Sequence, residues 1–483
     1  MPIALKDTAP PHPHLPIPLG QLSVWQHSTR DHPLLNAGRD EDLPSEADVI
    51  IIGSGMCGAV TAHSLLESPN RPNSIVVLEA REICSGASGR NAGHCRPDES
   101  RGFTAFSKLH GVEEAKHILK SEREVFNRVN TFVEKTGIEC EWTPRDTYDV
   151  SLSSDFRDYA SKALKDLRDN GGTPEVEEVG QEQTVKETRV GSAHGSVKWW
   201  AGTLNPAKLT LGIHQSNVSQ GGYKLYAYAP VHGVVQSDDG VSWDVMTPRG
   251  VVRAKKVIHA TNAYCDALLP ELEGLVVPTR AQAVKFSPAP AGPEKFPRIE
   301  GSYSLRYQPH YFYSICCRPD NSIVLGLSRS WDGMTPEAVE SSKNTVDDSA
   351  PFLEATQNGA KELTKLFPEG GWSADPEGIK NGTAEGFEYS WSGIIGMSPD
   401  SIPFIGAVPN KPGQYIGAGF NGHGMARIFL CAPALARYVL TGEWDEAMPK
   451  SMRITEERLA RLRTGLDKGS LSKDGGYPSK MDI

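Results

Sequence analysis

Residues 48–58 read Asp48-Val-Ile-Ile-Ile-Gly53-Ser-Gly55-Met-Cys-Gly58, an apolar strand that runs straight into a G-x-G-x-x-G turn. The spacing gives each glycine a task. Gly53 makes the tight turn, Gly55 admits a pyrophosphate close to the backbone, and Gly58 lets the following helix pack against the strand. Ser54 and Met56 belong to the same phosphate-facing turn. The helix, expected over about Met56 to Leu66, points its unpaired N–H groups and positive dipole end at the phosphates. A second apolar strand, Ser74 to Leu78, ends at Glu79, 21 residues past Gly58. From there a carboxylate accepts hydrogen bonds from an adenosine ribose, with Ala80 and Arg81 beside it. A lone glycine pattern is common; strand, turn, helix, strand and acid in this order specify a dinucleotide-binding unit.

The chain around this unit is a soluble globular one. Its 483 residues suffice for about three domain-sized units, and 38% are hydrophobic and 23% charged. A net charge of −10 argues against nucleic acid or an anionic membrane as partner. Eight scattered cysteines with no C-x-x-C pair suit neither a disulfide framework nor a zinc site, and no metal is expected. No signal peptide and no run long enough to span a bilayer is read, so a cytoplasmic protein is expected.

Residues 1–45, rich in Pro and His, read as an extended arm. Its histidines lack acidic or Cys neighbours and are not read as a metal tract. Helical periodicity covers 111–136, 154–170 and about 355–367, and strand-like alternation covers 223–260, 283–286 and 311–327. The last organised element is a strand over 414–418, a Gly-rich turn, and a helix from about Met425 to Leu440. Beyond Glu456 the chain is charged, and its last dozen residues are expected to be disordered.

Four further segments carry chemistry. Ser88-Gly-Arg90-Asn91-Ala92-Gly93 offers polar side chains and close-approach glycines to a cofactor. Ala229-Pro-Val231 fits the edge that hydrogen-bonds an adenine through the backbone at Val231. Val257-Ile-His-Ala260-Thr261 is an apolar strand ending in small residues. Pro399 to Gly406 leads into Tyr415-Ile-Gly-Ala-Gly419-Phe-Asn421-Gly422-His423-Gly424-Met425. This last turn leaves backbone N–H groups bare beside a helix N-terminus, a place that stabilises negative charge. A pyrophosphate clamp and a remote anion hole together suit FAD, whereas NAD has no use for the second. An NAD(P)-dependent Rossmann dehydrogenase is therefore the alternative supported by the first motif alone, and a flavin monooxygenase or a non-catalytic FAD-binding protein shares it too.

On these motifs, with Pro278-Thr-Arg-Ala-Gln282 and Trp391-Ser-Gly393-Ile-Ile-Gly added, the chain resembles the FAD-dependent oxidoreductases of the D-amino-acid oxidase family, over roughly residues 45–445. It is most similar to the sarcosine, glycine and gamma-glutamylputrescine oxidase branch. The resemblance implies an α/β protein: a Rossmann-like FAD-binding domain, a mixed sheet with helices, plus an inserted α+β substrate domain with an antiparallel sheet. It implies an enzyme that oxidises a C–N bond of a small amine or amino acid by hydride transfer to FAD, with molecular oxygen the acceptor. A non-amine metabolite is the alternative substrate. The expected division is an arm (1–45), a discontinuous FAD-binding domain (46–100, 180–282 and 391–445), a substrate or cap domain (101–179 and 283–390) and a C-terminal tail (446–483).

Departures from the family pattern matter equally. The attachment cysteine of sarcosine-oxidase-like relatives falls here on Gly393, and the attachment histidine of other relatives falls near Arg90, so FAD is expected to be noncovalent. The oxygen-activating lysine of sarcosine oxidase falls on Val324. Within the site, His423 is expected near the flavin and Trp391 in an aromatic wall around the substrate amine. Trp199 and Trp200 are alternatives for that wall, only one of them facing it. Arg306, or Arg280, is placed to bind a substrate carboxylate. Cys316 and Cys317 read as opposite faces of one strand.

Overall fold

In the computed structural model, which describes residues 12–18, 20–327 and 334–472, the apolar run before Gly53 forms the strand Glu46–Ile52 at the centre of a sheet. The strand order is Phe404–Ala407, Gln414–Ala418, Gly250–His259, Glu46–Ile52, Ile75–Leu78, Tyr223–Tyr226. Every pairing in this series is parallel except that between the two strands after residue 400. Val49 to Ile52 are buried on both faces, the requirement of a parallel strand between helical layers. Two short strands, Gly233–Gln236 and Trp243–Thr247, extend the start of Gly250–His259 as an antiparallel ladder.

The helix Met56–Leu66 is wedged between this sheet and the helices Pro206–Ser219 and Ile428–Thr441. Small residues permit that approach. A Cβ at Gly58 would lie 2.2 Å from the carbonyl oxygen of Gly53, so only glycine fits. The long helix Val112–Thr136 packs on Ile428–Thr441 and ends at Gly137, which adopts φ +65°.

A second sheet runs Phe387–Met397, Val277–Phe286, Ile323–Gly326, Phe312–Cys317, Ser302–Arg306, Thr143–Ser151, Ser196–Thr203, His94–Cys95, with Glu177–Val179 also paired to Ser196–Thr203. It is antiparallel throughout except where Ser302–Arg306 runs parallel to Thr143–Ser151. Tyr303, Tyr313, Phe286 and Phe367 fill the separate core behind it. Tyr307 and Tyr311 pack against this core, stacked on each other at 4.9 Å.

Three expectations need correction. The N-terminal segment is docked, because Trp25 is buried and its indole N–H donates to the Asn91 carbonyl at 2.6 Å. One large apolar anchor outweighs the Pro-rich composition around it. The charged segment after Glu456 is a helix, Glu456–Asp467, capped by Thr455 and held by buried Leu459 and Leu462 and by Arg458 on Asp400 at 3.0 Å. The expected disorder of the last dozen residues falls almost wholly on 473–483, outside the described residues. Third, the expected residue ranges do not follow the sheets: Ser196–Thr203 and Phe387–Met397, assigned in part or whole to the FAD-binding ranges, lie in the second sheet. Among the described residues no helix is long and apolar enough to cross a membrane.

Candidate active site

The two sheets meet over a cleft of about 340 Å³ whose walls come from the first glycine turn, the 86–92 loop, the late glycine turn and the second sheet. At its first end, Gly53 has φ +105°, and a Cβ there would sit 2.7 Å from the Ala260 carbonyl oxygen. Gly55 faces the cleft; within 4 Å a Cβ would meet only the Ser88 side chain. That hydroxyl accepts the N–H of Met56 at 2.8 Å, satisfying one bare donor of the helix N-terminus. Glu79 lines the cleft and is held rigidly. Its Oε2 accepts Ser54 N–H at 3.0 Å and the Ser54 hydroxyl at 2.6 Å, and its Oε1 accepts Arg81 N–H at 3.0 Å. Two oxygens fixed by backbone and hydroxyl still have lone pairs to offer a ribose. Ala80, Val231, Ala260 and Thr261 complete this end, and the buried Thr261 hydroxyl has no protein partner.

Arg81 and Arg90 also line the cleft, but their guanidinium groups are committed to protein. Arg81 forms a buried pair with Asp348 at 2.9 Å. Arg90 donates to the carbonyls of Ser85 at 2.9 Å, Ser392 at 2.8 Å and Gln21. Burial presses the Arg90 guanidinium below its ordinary value, with Asp348 opposing. Both guanidinium groups hold the 85–92 loop in place, Arg81 through Ser85 and Asp348 and Arg90 through Ser392 of the second sheet. Asn91 likewise spends its side chain on the loop: Oδ1 accepts Gly93 N–H at 2.9 Å and Nδ2 donates to Ser88 O at 3.1 Å. Ala92 and Gly393 line the cleft as small surfaces, and a Cβ on Gly393 would lie 3.2 Å from Arg90 Cβ.

At the opposite end, Gly422, His423, Gly424 and Met425 line the cleft. Gly422 holds φ +73°. The helix beyond them starts at Ile428, later than expected, after a single 3₁₀ turn over Gly424–Ala426. Gly419 and Asn421 stand behind this wall. Asn421 braces it by accepting Ser398 N–H at 2.8 Å and donating to Gly419 O at 2.7 Å. Ser54 and Gly58 also sit behind the lining. So does Trp391: it is fully buried and donates its indole N–H to Arg90 O at 2.8 Å, which replaces the expected catalytic contact with loop support.

Beneath His423 lies a group that sequence reading missed. Glu122, buried in the middle of helix Val112–Thr136, accepts Asp98 N–H at 2.8 Å and Arg427 Nε at 3.0 Å, and lies 3.3 Å from His423 Nδ1. Burial would raise its carboxyl, but His423 and Arg427 outweigh that and hold it at about 2. An ionised carboxylate under the turn fixes both His423 and Arg427.

The remaining wall is a charged cage on the second sheet. Arg306 Nε donates to Asp149 Oδ1 at 2.8 Å, and Arg96 Nη2 donates to the same oxygen at 2.9 Å. Arg101 lies 3.7 Å from the other Asp149 oxygen and donates to Asp98. Burial opposes the ionisation of Asp149, but Arg306, Arg96 and Arg101 hold it below the ordinary carboxylate range. Burial first, and the neighbouring Arg101 second, lower Arg306 to about 10. All five groups line the cleft, three guanidinium groups against two carboxylates. Trp199, Phe312 and His94 complete the cage. Arg96 stacks over Trp199 at 4.4 Å, while Trp200 points to solvent, half exposed, as strand alternation requires. His94 has both ring nitrogens buried without protein partners, and burial, then Arg96 and Arg145, push it down to about 3. Arg280 is elsewhere, stacked over Phe352 at 4.3 Å. Asp149 and Arg96 carried no local signal, since Arg96 is 53 residues and Arg306 157 residues from the Asp149 they share.

Residues 48–438 match the family described as FAD dependent oxidoreductase (DAO). The chain is 24% identical over 432 residues to the probable oxidoreductase OrdL of Haemophilus influenzae, covering 86% of this chain and 89% of that one. It is also 24% identical over 400 residues to the gamma-glutamylputrescine oxidoreductase of Escherichia coli, covering 80% and 82%. Among solved structures it is similar to glycine oxidase from Geobacillus kaustophilus, with TM-score 0.66 at 19% identity over 86% of this chain and 99% of that one. L-proline dehydrogenase from P. horikoshii matches with TM-score 0.65 at 19% identity, over 88% and 99%.

Proposed function

Since the chain belongs to the FAD-dependent oxidoreductase family, we propose that this cleft oxidises the C–N bond of a small amine or amino acid that also carries an acidic group. The family makes the chain an FAD-dependent oxidoreductase, and its relatives include a gamma-glutamylputrescine oxidoreductase and a glycine oxidase. The observation that carries the finer reading is the surplus positive charge of the Arg96–Arg101–Arg306 cage beside Trp199 and Phe312, in the same cleft as both glycine turns.

The residues fit FAD: a cradle closed to any Cβ at Gly53, a fixed Glu79 and an unpartnered Thr261 hydroxyl meet an elongated ligand. FAD, once bound, supplies the hydride acceptor. The chain orients the other reactant. Arg306 and its neighbours hold the substrate anion, and Trp199 and Phe312 shield its carbon chain from water. The unpaired His94 nitrogens present a neutral imidazole that hydrogen-bonds the substrate amine. The late turn places backbone N–H groups and His423 where negative charge is best tolerated.

Noncovalent attachment follows from Gly393 standing where an attachment cysteine falls and from Arg90 being spent on carbonyls. Oxygen as acceptor is read from the oxidases among the relatives. Eight unpaired, buried cysteines support a reducing compartment, the cytosol. A peroxide-coupled panel of amines and amino acids, each paired with its decarboxylated counterpart, tests the reading. Acidic members are expected to turn over, with Arg306→Ala raising KM at least about tenfold for them alone. Equal turnover of the counterparts that lack the acidic group would contradict it.

A further inference from the structure

Far along the sequence from any motif, the N-terminal segment meets the 3₁₀ turn Asn262–Ala267 that follows Thr261. There His12, His14 and Asp266 each offer a ligand atom, and these atoms all lie within 4.8 Å of one another. His14 Nδ1 stands 2.6 Å from Asp266 Oδ2. The two imidazoles meet edge to face at 5.4 Å, and His12 Nδ1 accepts the amide of His14 at 3.2 Å. An ion pair between His14 and Asp266 explains part of this arrangement. It does not explain His12, nor the other carboxylate oxygen: Asp266 Oδ1 is buried with no hydrogen-bond partner. A buried, unpaired carboxylate oxygen next to two imidazoles is an unbalanced set for protons alone.

We propose that His12, His14 and Asp266 bind one divalent cation of the zinc class, independently of the flavin reading. Two imidazoles and a carboxylate are a common three-ligand set for that ion, with water in the fourth position. Tetrahedral bonds of about 2.0–2.1 Å place ligand atoms roughly 3.3 Å apart. The observed spacing reaches that by shifts of about an ångström, the ion displacing the proton shared by His14 and Asp266 and taking the lone pair His12 now offers to an amide. The sequence could not disclose this, because the acid is 252 residues from its histidine. Leu15 and Pro16, directly after the ligands, line the cleft beside Thr261, Asn262 and Tyr264. A cation here would clip the N-terminal segment over the cofactor end of the cleft.

The test titrates the full-length, flavin-loaded protein, stripped of metal with a chelator, with Zn²⁺ by calorimetry and with Co²⁺ by its visible ligand-field bands. One ion per chain is expected, with tetrahedral-type Co²⁺ absorption. His12→Gln and Asp266→Asn should each weaken binding at least about tenfold. Asp266 is buried and its variant can fail to fold, so the partly exposed His12 decides that case. Absence of binding, or equal stoichiometry and affinity in wild type and His12→Gln, would overturn the proposal and leave an ordinary ion pair.

Discussion

Replacing Glu79 by alanine tests the cofactor end at its most constrained residue. In the structure its two oxygens accept three hydrogen bonds, from Ser54 N–H, Ser54 Oγ and Arg81 N–H. The carboxylate is therefore fixed before any ligand arrives, and little side-chain entropy opposes ribose binding. A charged hydrogen bond of this kind contributes about 1.5–3 kcal/mol, so Glu79→Ala should weaken FAD binding by about 10- to 140-fold. The same change strands three donors, two of them on fully buried Ser54, and should lower stability by about 1–3 kcal/mol. Glu79→Gln separates the effects in part, because its carbonyl oxygen still accepts from Ser54 and only the Arg81 N–H loses its acceptor, while the charge facing the ribose is gone. The assay is FAD titration into apoprotein, followed by quenching of flavin fluorescence, with thermal melts of each apoprotein alongside. Weaker binding in Glu79→Gln with a melt above that of Glu79→Ala supports the assignment. Wild-type Kd in Glu79→Ala would refute it, whatever the melt shows.

Three further outcomes are expected. Gly422→Val puts a β-branched residue at φ +73° with its Cβ 3.2 Å from Ile395 Cδ1, and should slow flavin reduction at least about tenfold while weakening the sulfite adduct; wild-type values for both would make the turn scaffold only. Glu122 has a folded-state carboxyl held at about 2 against an ordinary 4.5, so its contribution is present above pH 4.5 and is lost as pH falls toward 2. Denaturant melts across that window should show a steeper loss of stability in wild type than in Glu122→Gln, which itself should be weaker by about 3–5 kcal/mol at neutral pH because Arg427 loses its partner. Acid precipitation should leave a colourless pellet and a yellow supernatant; flavin retained in the pellet would contradict noncovalent binding.

The nucleotide half of this fold was legible because its signals are local. Gly53, Gly55 and Gly58 answer steric demands within a dozen residues, and Glu79 follows at a distance set by one strand–helix–strand unit. The late glycine turn was legible for the same reason. The charged cage was only half visible. Arg306 reads as a lone charge, whereas Asp149, on another strand of the mixed sheet, and Arg96, just past a third strand, aim it. Trp391 misled in the opposite direction, because an aromatic next to a motif reads alike whether it faces a ligand or, as here, supports the Arg90 carbonyl from below. Glu122 and the Glu456–Asp467 helix escaped because burial of charge depends on partners distant in sequence, Arg427 and Asp400 among them.

The most direct test of the central claim is anaerobic mixing of the purified, flavin-loaded protein with an acidic amine substrate drawn from the panel. The account predicts that the visible bands of the oxidised flavin bleach at a rate that saturates with substrate, return on admission of oxygen with release of peroxide, and that Arg306→Ala raises the half-saturating concentration at least about tenfold. A protein purified without flavin absorption, or a flavin that no amine or amino acid bleaches, would contradict it.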